Sequence, residues 1–163
     1  MQKEISQLQL LLQQLIIEHD KLLTHLSAQQ IAMKKMDLSA IDKLTGLQDA
    51  TRMRIAALDS KRKTLVNQLA LILKIQGTPT LTRLAESIPQ HKQNLLTLRN
   101  QLKSKVTEVA KNSTIAGGVA GALLGHLNTV VRLLAGAVEK AGLYTKQGTP
   151  QVSRRIGVME AVG

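Results

Sequence analysis

Three stretches of the chain carry apolar residues at alternating intervals of three and four, and this pattern limits the fold more than any other feature. Such intervals return to one side of an α-helix, so each stretch predicts a helix that buries one face against its neighbours. The first seam contains Ile5, Leu8, Leu12, Leu15, His19, Leu22, Leu26, Gln29, Met33 and Met36. The second contains Thr51, Ile55, Leu58, Arg62, Leu65, Leu69 and Ile72, and the third contains Ile88, His91, Leu95, Leu98, Leu102, Val106 and Val109.

Turn-forming residues divide these seams into three predicted helices. We expect helix one over residues 1–36, helix two over 38–76, and helix three over 80–142 with a kink near residue 88. The clearest break is the segment IQGTPT, because glycine suits a helix end and proline cannot continue a helix. The third helix is expected to change character in its second half, where small residues become frequent.

The seams and breaks together predict an all-α protein. We expect an elongated antiparallel helical bundle or coiled-coil hairpin of three to four long helices. The bundle would form one domain over residues 1–144, and a flexible tail would follow over 145–163. The single aromatic residue, Tyr144, supports this fold class, since sheet proteins normally draw on aromatic side chains.

The charge and cysteine content limit the classes of partner. The 163 residues include 22 Lys plus Arg against 11 Asp plus Glu, a net charge of +11, so an anionic partner is conceivable. Binding to single-stranded nucleic acid is not favoured, because one tyrosine cannot build a stacking platform. Cysteine is absent, which excludes disulfides and thiolate metal sites and fits a cytoplasmic location.

The stretch KNSTIAGGVAGALLGHLNTVVR is unusual because no formal charge lies between its first and last residues. It has the length of a membrane span, but its Asn, Ser, Thr and His content does not favour stable insertion. It also lacks the Gly-Lys-Ser/Thr and G-x-G-x-x-G patterns of phosphate-binding loops. We therefore interpret it as a helix with one smooth face.

Glycines four residues apart, Gly117, Gly121 and Gly125, would flatten one side of this helix. A glycine within a helix costs about 1 kcal/mol relative to alanine, so close approach of another helix is the expected compensation. That helix could belong to this chain, or it could be an amphipathic helix of a partner lying in an open groove. Composition does not separate the two.

The sequence offers no pattern of a catalytic or metal site. No two of the four histidines share one helix turn, and the acidic residues are scattered without a Glu-x-x-His pair. There is no Gly-x-Ser-x-Gly elbow and no zinc motif. We therefore expect neither an enzyme nor a cofactor, a metal or a small-molecule substrate.

The order of several soft motifs resembles that of the FlgN family of flagellar type III export chaperones. The motifs are IIEHDKLLTHL, RMRIAALDSKRKTLVNQLA, GTPTLTRLAESIPQHKQNLLTLRNQLKSKVTEVAKN, and YTKQG before the tail. One departure is visible: the family usually has two asparagines three apart, whereas this chain has Asn112 followed by Ile115.

The resemblance implies a cytoplasmic, all-helical chaperone without catalytic activity. Its partners would be the C-terminal helices of the hook-filament junction proteins FlgK and FlgL, kept soluble and delivered to the export gate protein FlhA. The family's cargo surface maps to Gly117, Val119, Gly121, Leu124, Leu127, Val131 and Leu134, and its gate-docking tyrosine to Tyr144. Two other functions stay open: a structural bundle protein without a client, and a basic protein associated with nucleic acid.

Overall fold

The computed structural model describes the backbone of residues 1–142 and the side chains of residues 1–134. All regular structure in that part of the chain is helical, which confirms the all-α prediction. The helices are α1 (Gln2–Lys34), α2 (Leu38–Ile72), α3 (Leu81–Glu86) and α4 (Pro89–Gly142). The chain divides into two compact units, residues 1–120 and a unit that begins at Gly121, and α4 contributes to both.

Polar caps and positive backbone angles set the helix boundaries in the first unit. The Asp37 carboxylate accepts a hydrogen bond from the Ala40 amide at 3.0 Å and caps α2. The Thr80 hydroxyl accepts one from the Arg83 amide at 3.2 Å and caps α3 in the same way. Between α2 and α3, Gly77 has a φ of 79°, a left-handed conformation that glycine adopts without steric cost.

Three boundaries differ from the expected ones, and the first is the end of α1, which lies at Lys34 and not at residue 36. Helix α2 ends at Ile72 and not at residue 76, because Lys74 takes a positive φ of 52° and turns the chain. The expected third helix over residues 80–142 is two helices, α3 and α4, separated at Ser87 and Ile88. Pro89 is the first residue of α4, where the missing amide hydrogen of proline leaves no helical bond unmade.

The larger core of the first unit joins four helices near the beginning of α1. It contains Ile5, Leu8 and Leu12 of α1, Leu65, Val66 and Leu69 of α2, and Leu84, Ala85, Ile88, Leu95 and Leu98 from the rest of the chain. A smaller core contains Leu22, Leu26 and Ala116, with Ile55 and Val109 packed against it. The early part of α1 therefore meets the late part of α2, and these two helices run antiparallel.

Helix α4 runs parallel to α1 within the first unit. The Gln9 amide nitrogen lies 3.4 Å from Nδ1 of His91. Lys105 Nζ lies 2.9 Å from the carboxylate of Asp20. Further along, the Gln30 side-chain amide donates to the backbone carbonyl of Asn112 at 3.4 Å. Residue numbers thus rise together along both helices, and α2 is antiparallel to each of them.

Candidate helix-binding surface on α4

An exposed apolar stripe lies on the part of α4 in the second unit. Leu124, Leu127, Val131 and Leu134 follow one another at intervals of three, four and three, so they share one side of the helix. Their exposed fractions are 66%, 41%, 52% and 61%. We call these four residues the α4 stripe. Their area is the kind that amphipathic helices normally bury against a neighbour.

The glycines of this unit lie beside the α4 stripe and not within it. Gly121 and Gly125 share a side of the helix with Asn128 and Arg132, at intervals of four, three and four. A Cβ atom added to either glycine would meet nothing within 4 Å. The expected close approach of another helix therefore does not account for these glycines among the described residues. Gly121, a predicted cargo residue, lies at the edge of the stripe.

Two other predicted cargo residues belong to the first unit. Gly117 is exposed, and a Cβ atom built on it has open space around it. Val119 is half-buried. Their neighbour Ala116 is buried in the smaller core with Leu22. The predicted set therefore contains residues in three environments, and only the α4 stripe is both apolar and largely exposed.

The predicted gate-docking residue Tyr144 and the predicted tail over 145–163 lie outside the described residues.

The electrostatic character of this surface is nearly neutral. Between Gly121 and Leu134 the only charged residue is Arg132, and there is no acidic residue. Helix α4 is long and apolar enough to cross a membrane by length and composition, with a mean hydropathy of 1.3 over its most apolar 18-residue window. A single helix of this kind is weak evidence for a membrane span, and the Asn, Ser, Thr and His residues within it do not favour insertion.

Within residues 1–134, neither the histidines nor the groups with shifted pKa values cluster into a site. Nδ1 of the buried His19 donates to the Leu15 carbonyl at 2.7 Å, a structural contact within α1. A hydrogen bond from Lys105 to the Asp20 carboxylate raises the pKa of that lysine, as expected for a surface ion pair. Residues 1–134 contain no group of three His, Asp or Glu side chains that could hold a metal ion.

A protein-family model described as FlgN protein matches residues 1–151. The chain belongs to the FlgN family. The family consists of chaperones for flagellar protein export, so the FlgN resemblance inferred from the motifs is confirmed. No match was found among curated proteins or among solved structures. A chaperone works by binding other proteins, and exposed apolar helix surfaces are the usual sites of such binding.

One exposed apolar surface of this FlgN protein, on α1, was not predicted from the sequence. Leu10, Ile17 and Ile31 are 55%, 53% and 55% exposed, although they belong to a helix whose seam is buried. Their spacing in multiples of seven places them on one side of α1, largely opposite that seam. The recurrence of leucine and isoleucine at intervals of seven and fourteen was the signal in the sequence that could have revealed this surface.

Proposed function

We propose that this chain is a cytoplasmic export chaperone for hook-filament junction proteins of the FlgK and FlgL type. It binds their C-terminal amphipathic helices through the α4 stripe, prevents premature assembly, and passes them to an export gate protein of the FlhA type. The observation that carries the proposal is the exposure of four leucine and valine side chains on one side of α4 in a member of the FlgN family.

The physical character of the α4 stripe suits an amphipathic helix as cargo. The distance from Leu124 to Leu134 along the axis is about 15 Å, two to three helical turns. A cargo helix with its own apolar seam can pack against such a stripe side by side. The absence of acidic residues between Gly121 and Leu134 places no repulsive carboxylate in the way of an acidic cargo flank.

Delivery requires that binding be specific and also reversible. A cargo segment that orders only on binding gives up about 2–5 kcal/mol of the gross interaction free energy, which favours release. We place Tyr144 in the docking of the chaperone to the export gate. Because Tyr144 follows Gly142 by two residues, gate docking and cargo binding would use adjacent parts of the chain.

The experiment compares exposed leucines from two surfaces. Leu127→Gln/Leu134→Gln removes apolar area from the α4 stripe, and we expect at least about tenfold weaker binding of a junction-protein C-terminal peptide. Leu38→Gln/Leu71→Gln on α2 is the matched control, since these two leucines are 71% and 80% exposed. Binding is measured by isothermal titration calorimetry, and circular dichroism confirms that each variant stays helical.

Two results would contradict the proposal. One is equal peptide affinity in the stripe variant and in the unchanged chain. The other is a closed oligomer that buries the α4 stripe in the absence of cargo, detected by sedimentation and dissociated by the stripe variant. That second result would identify a structural bundle protein without a client.

A further inference from the structure

A shallow groove runs between α1 and α2 in the first unit. Two adjoining depressions of about 440 and 450 Å³ share Gln14 and together extend along α1 from Gln7 to Lys21. Fourteen residues of helix correspond to about 21 Å, the length of four helical turns. We call this feature the α1/α2 groove.

The floor of the α1/α2 groove is apolar. It includes the half-buried Leu11 and Leu58 and the buried Leu65. Leu10 and Ile17 stand on its α1 side, and both are more than half exposed. A bundle needs no apolar side chains at positions turned away from its seam, so the core does not explain these two residues.

The rim of the groove is basic. Lys21, Arg54 and Lys61 border it, and Glu18 is the one acidic residue among its lining residues. The Glu18 carboxylate already accepts a hydrogen bond from Lys21 at 2.5 Å. The groove therefore presents an apolar floor between positive charges, which is complementary to a helix with apolar and acidic sides.

Arg54 retains hydrogen-bonding capacity toward such a helix. Its Nη1 atom lies 3.7 Å from Glu18 Oε2, which is close enough for an ion pair but too long for a hydrogen bond. The Arg54 side chain is 58% exposed. Its guanidinium can donate to a carboxylate on a partner while staying near Glu18.

We propose that the α1/α2 groove is a second helix-binding surface, and that its occupant is an acidic amphipathic helix of another protein. A second copy of this chain is the poorer fit. A two-fold interface through this surface would bring Lys21, Arg54 and Lys61 toward the same residues of the copy, and the chain has a net charge of +11. The proposal uses residues different from those of the α4 stripe and stands independently of the cargo site.

Two synthetic peptides test the occupant directly. Both are helical, about 18 residues long, with the same Leu/Ala face. One carries Glu beside that face and the other carries Lys. Fluorescence anisotropy with the full chain is expected to show binding of the acidic peptide that weakens as salt increases, and little binding of the basic peptide.

Variants locate the binding. Leu10→Gln/Ile17→Gln should lower the affinity for the acidic peptide by about tenfold or more, and Lys61→Glu should lower it by about threefold or more. Leu38→Gln/Leu71→Gln is the matched control and should leave this affinity unchanged, since both leucines are exposed, at 71% and 80%, and neither lines the groove. Both Leu10 and Ile17 are largely exposed, so the groove variant is expected to keep its helical circular dichroism.

Three results would overturn the proposal. The first is no binding of the acidic peptide at about 1 mM, the weakest affinity of practical interest. The second is equal affinity for the groove variant and the unchanged chain. The third is a dimer in sedimentation that Leu10→Gln/Ile17→Gln dissociates, which would make a second copy the occupant. If the α4 stripe variant bound the junction-protein peptide with unchanged affinity, that result would contradict the proposed function and leave the groove proposal intact.

Discussion

The seam of α1 and the α4 stripe have the same spacing and opposite surroundings. Ile5, Leu8, Leu12 and Leu15 are at most 1% exposed. The α4 stripe repeats the intervals of three and four, yet its least exposed member, Leu127, is 41% exposed. Periodicity therefore shows which side of a helix is apolar, whereas the partners available to that side decide whether it becomes core or binding surface.

The residues beside the apolar positions also differ between α1 and α4. Beside its seam, α1 carries the charged residues Glu18 and Asp20, which form ion pairs with α2 and α4. The side of α4 next to the stripe carries Gly121 and Gly125. A helix held by a core can use polar contacts to fix its register. If a helix binds the α4 stripe as proposed, the glycines beside the stripe would let that helix lie close.

The largest expected effect comes from truncating equivalent leucines in the two regions. Leu12→Ala removes a fully buried side chain and should lower the free energy of unfolding by about 2–5 kcal/mol. Leu124→Ala removes a side chain that is 66% exposed and should change it by less than about 0.5 kcal/mol. Urea denaturation followed by circular dichroism measures both. Similar losses in the two variants would mean that the stripe is part of a core.

The next effect concerns the glycines beside the α4 stripe. Gly121→Ala and Gly125→Ala should each stabilise the local helix by about 1 kcal/mol, because alanine is the better helix former and the added Cβ meets no atom within 4 Å. Slower amide hydrogen exchange over residues 121–134 would show this. Gly46→Ala in α2 is the matched control in the first unit, since its Cβ also has open space. Unchanged exchange in the α4 variants would indicate that the glycines carry no helix penalty there.

The smallest effect is the pH response of one ion-pair cluster on α2. Burial tends to raise the pKa of Asp59, but hydrogen bonds from Arg62 at 2.8 Å and from Lys63 outweigh burial and lower it. A lowered pKa in the folded state contributes stability above the ordinary aspartate range, and that stability is lost as pH falls through the folded pKa. Asp59→Asn should therefore cost at most about 1 kcal/mol at pH 7.

The Asp59→Asn cost should disappear in acid, where both forms of residue 59 are neutral. Denaturation of the variant and the unchanged chain at several pH values measures the difference. Amide exchange over residues 121–134, corrected for its intrinsic pH dependence, should show no such acid-linked step, because that segment has no carboxylate. A cost independent of pH would assign the effect to packing and not to charge.

The sequence predicted the helical class and most of the first seam for a simple reason. Residues such as Leu8 and Leu15 face one side of α1 at every turn, and the same physics that makes the pattern visible also buries them. The seam fails at its end, where Met36 is 45% exposed and takes a φ of 55° in the turn before α2. Turns of this kind place a non-glycine residue in a left-handed conformation, and the sequence carries no clear signal for that conformation.

The two proposed binding surfaces were less predictable because exposure is a property of the assembled helices. The apolar character of Leu124 and Leu134 is plain in the sequence, but the distinction between an internal core and an open stripe is not. Gly121 shows the same limit, since its sequence position suggested helix contact and its surroundings are open. The α1/α2 groove depends on how α1 and α2 pack against each other, and its basic rim joins residues from both helices.

The parallel pairing of α1 with α4 has a consequence during synthesis. The pairs that join the two helices, Gln9 with His91 and Gln30 with Asn112, are 82 residues apart in the chain. The α1–α2 hairpin is complete at Ile72, so about 40 further residues must emerge before Asn112 can reach α1. At about 5–20 residues per second, translation leaves the apolar face of the hairpin exposed for roughly 2–8 seconds. The nascent FlgN chaperone therefore exposes an apolar surface of its own before it can bind another protein.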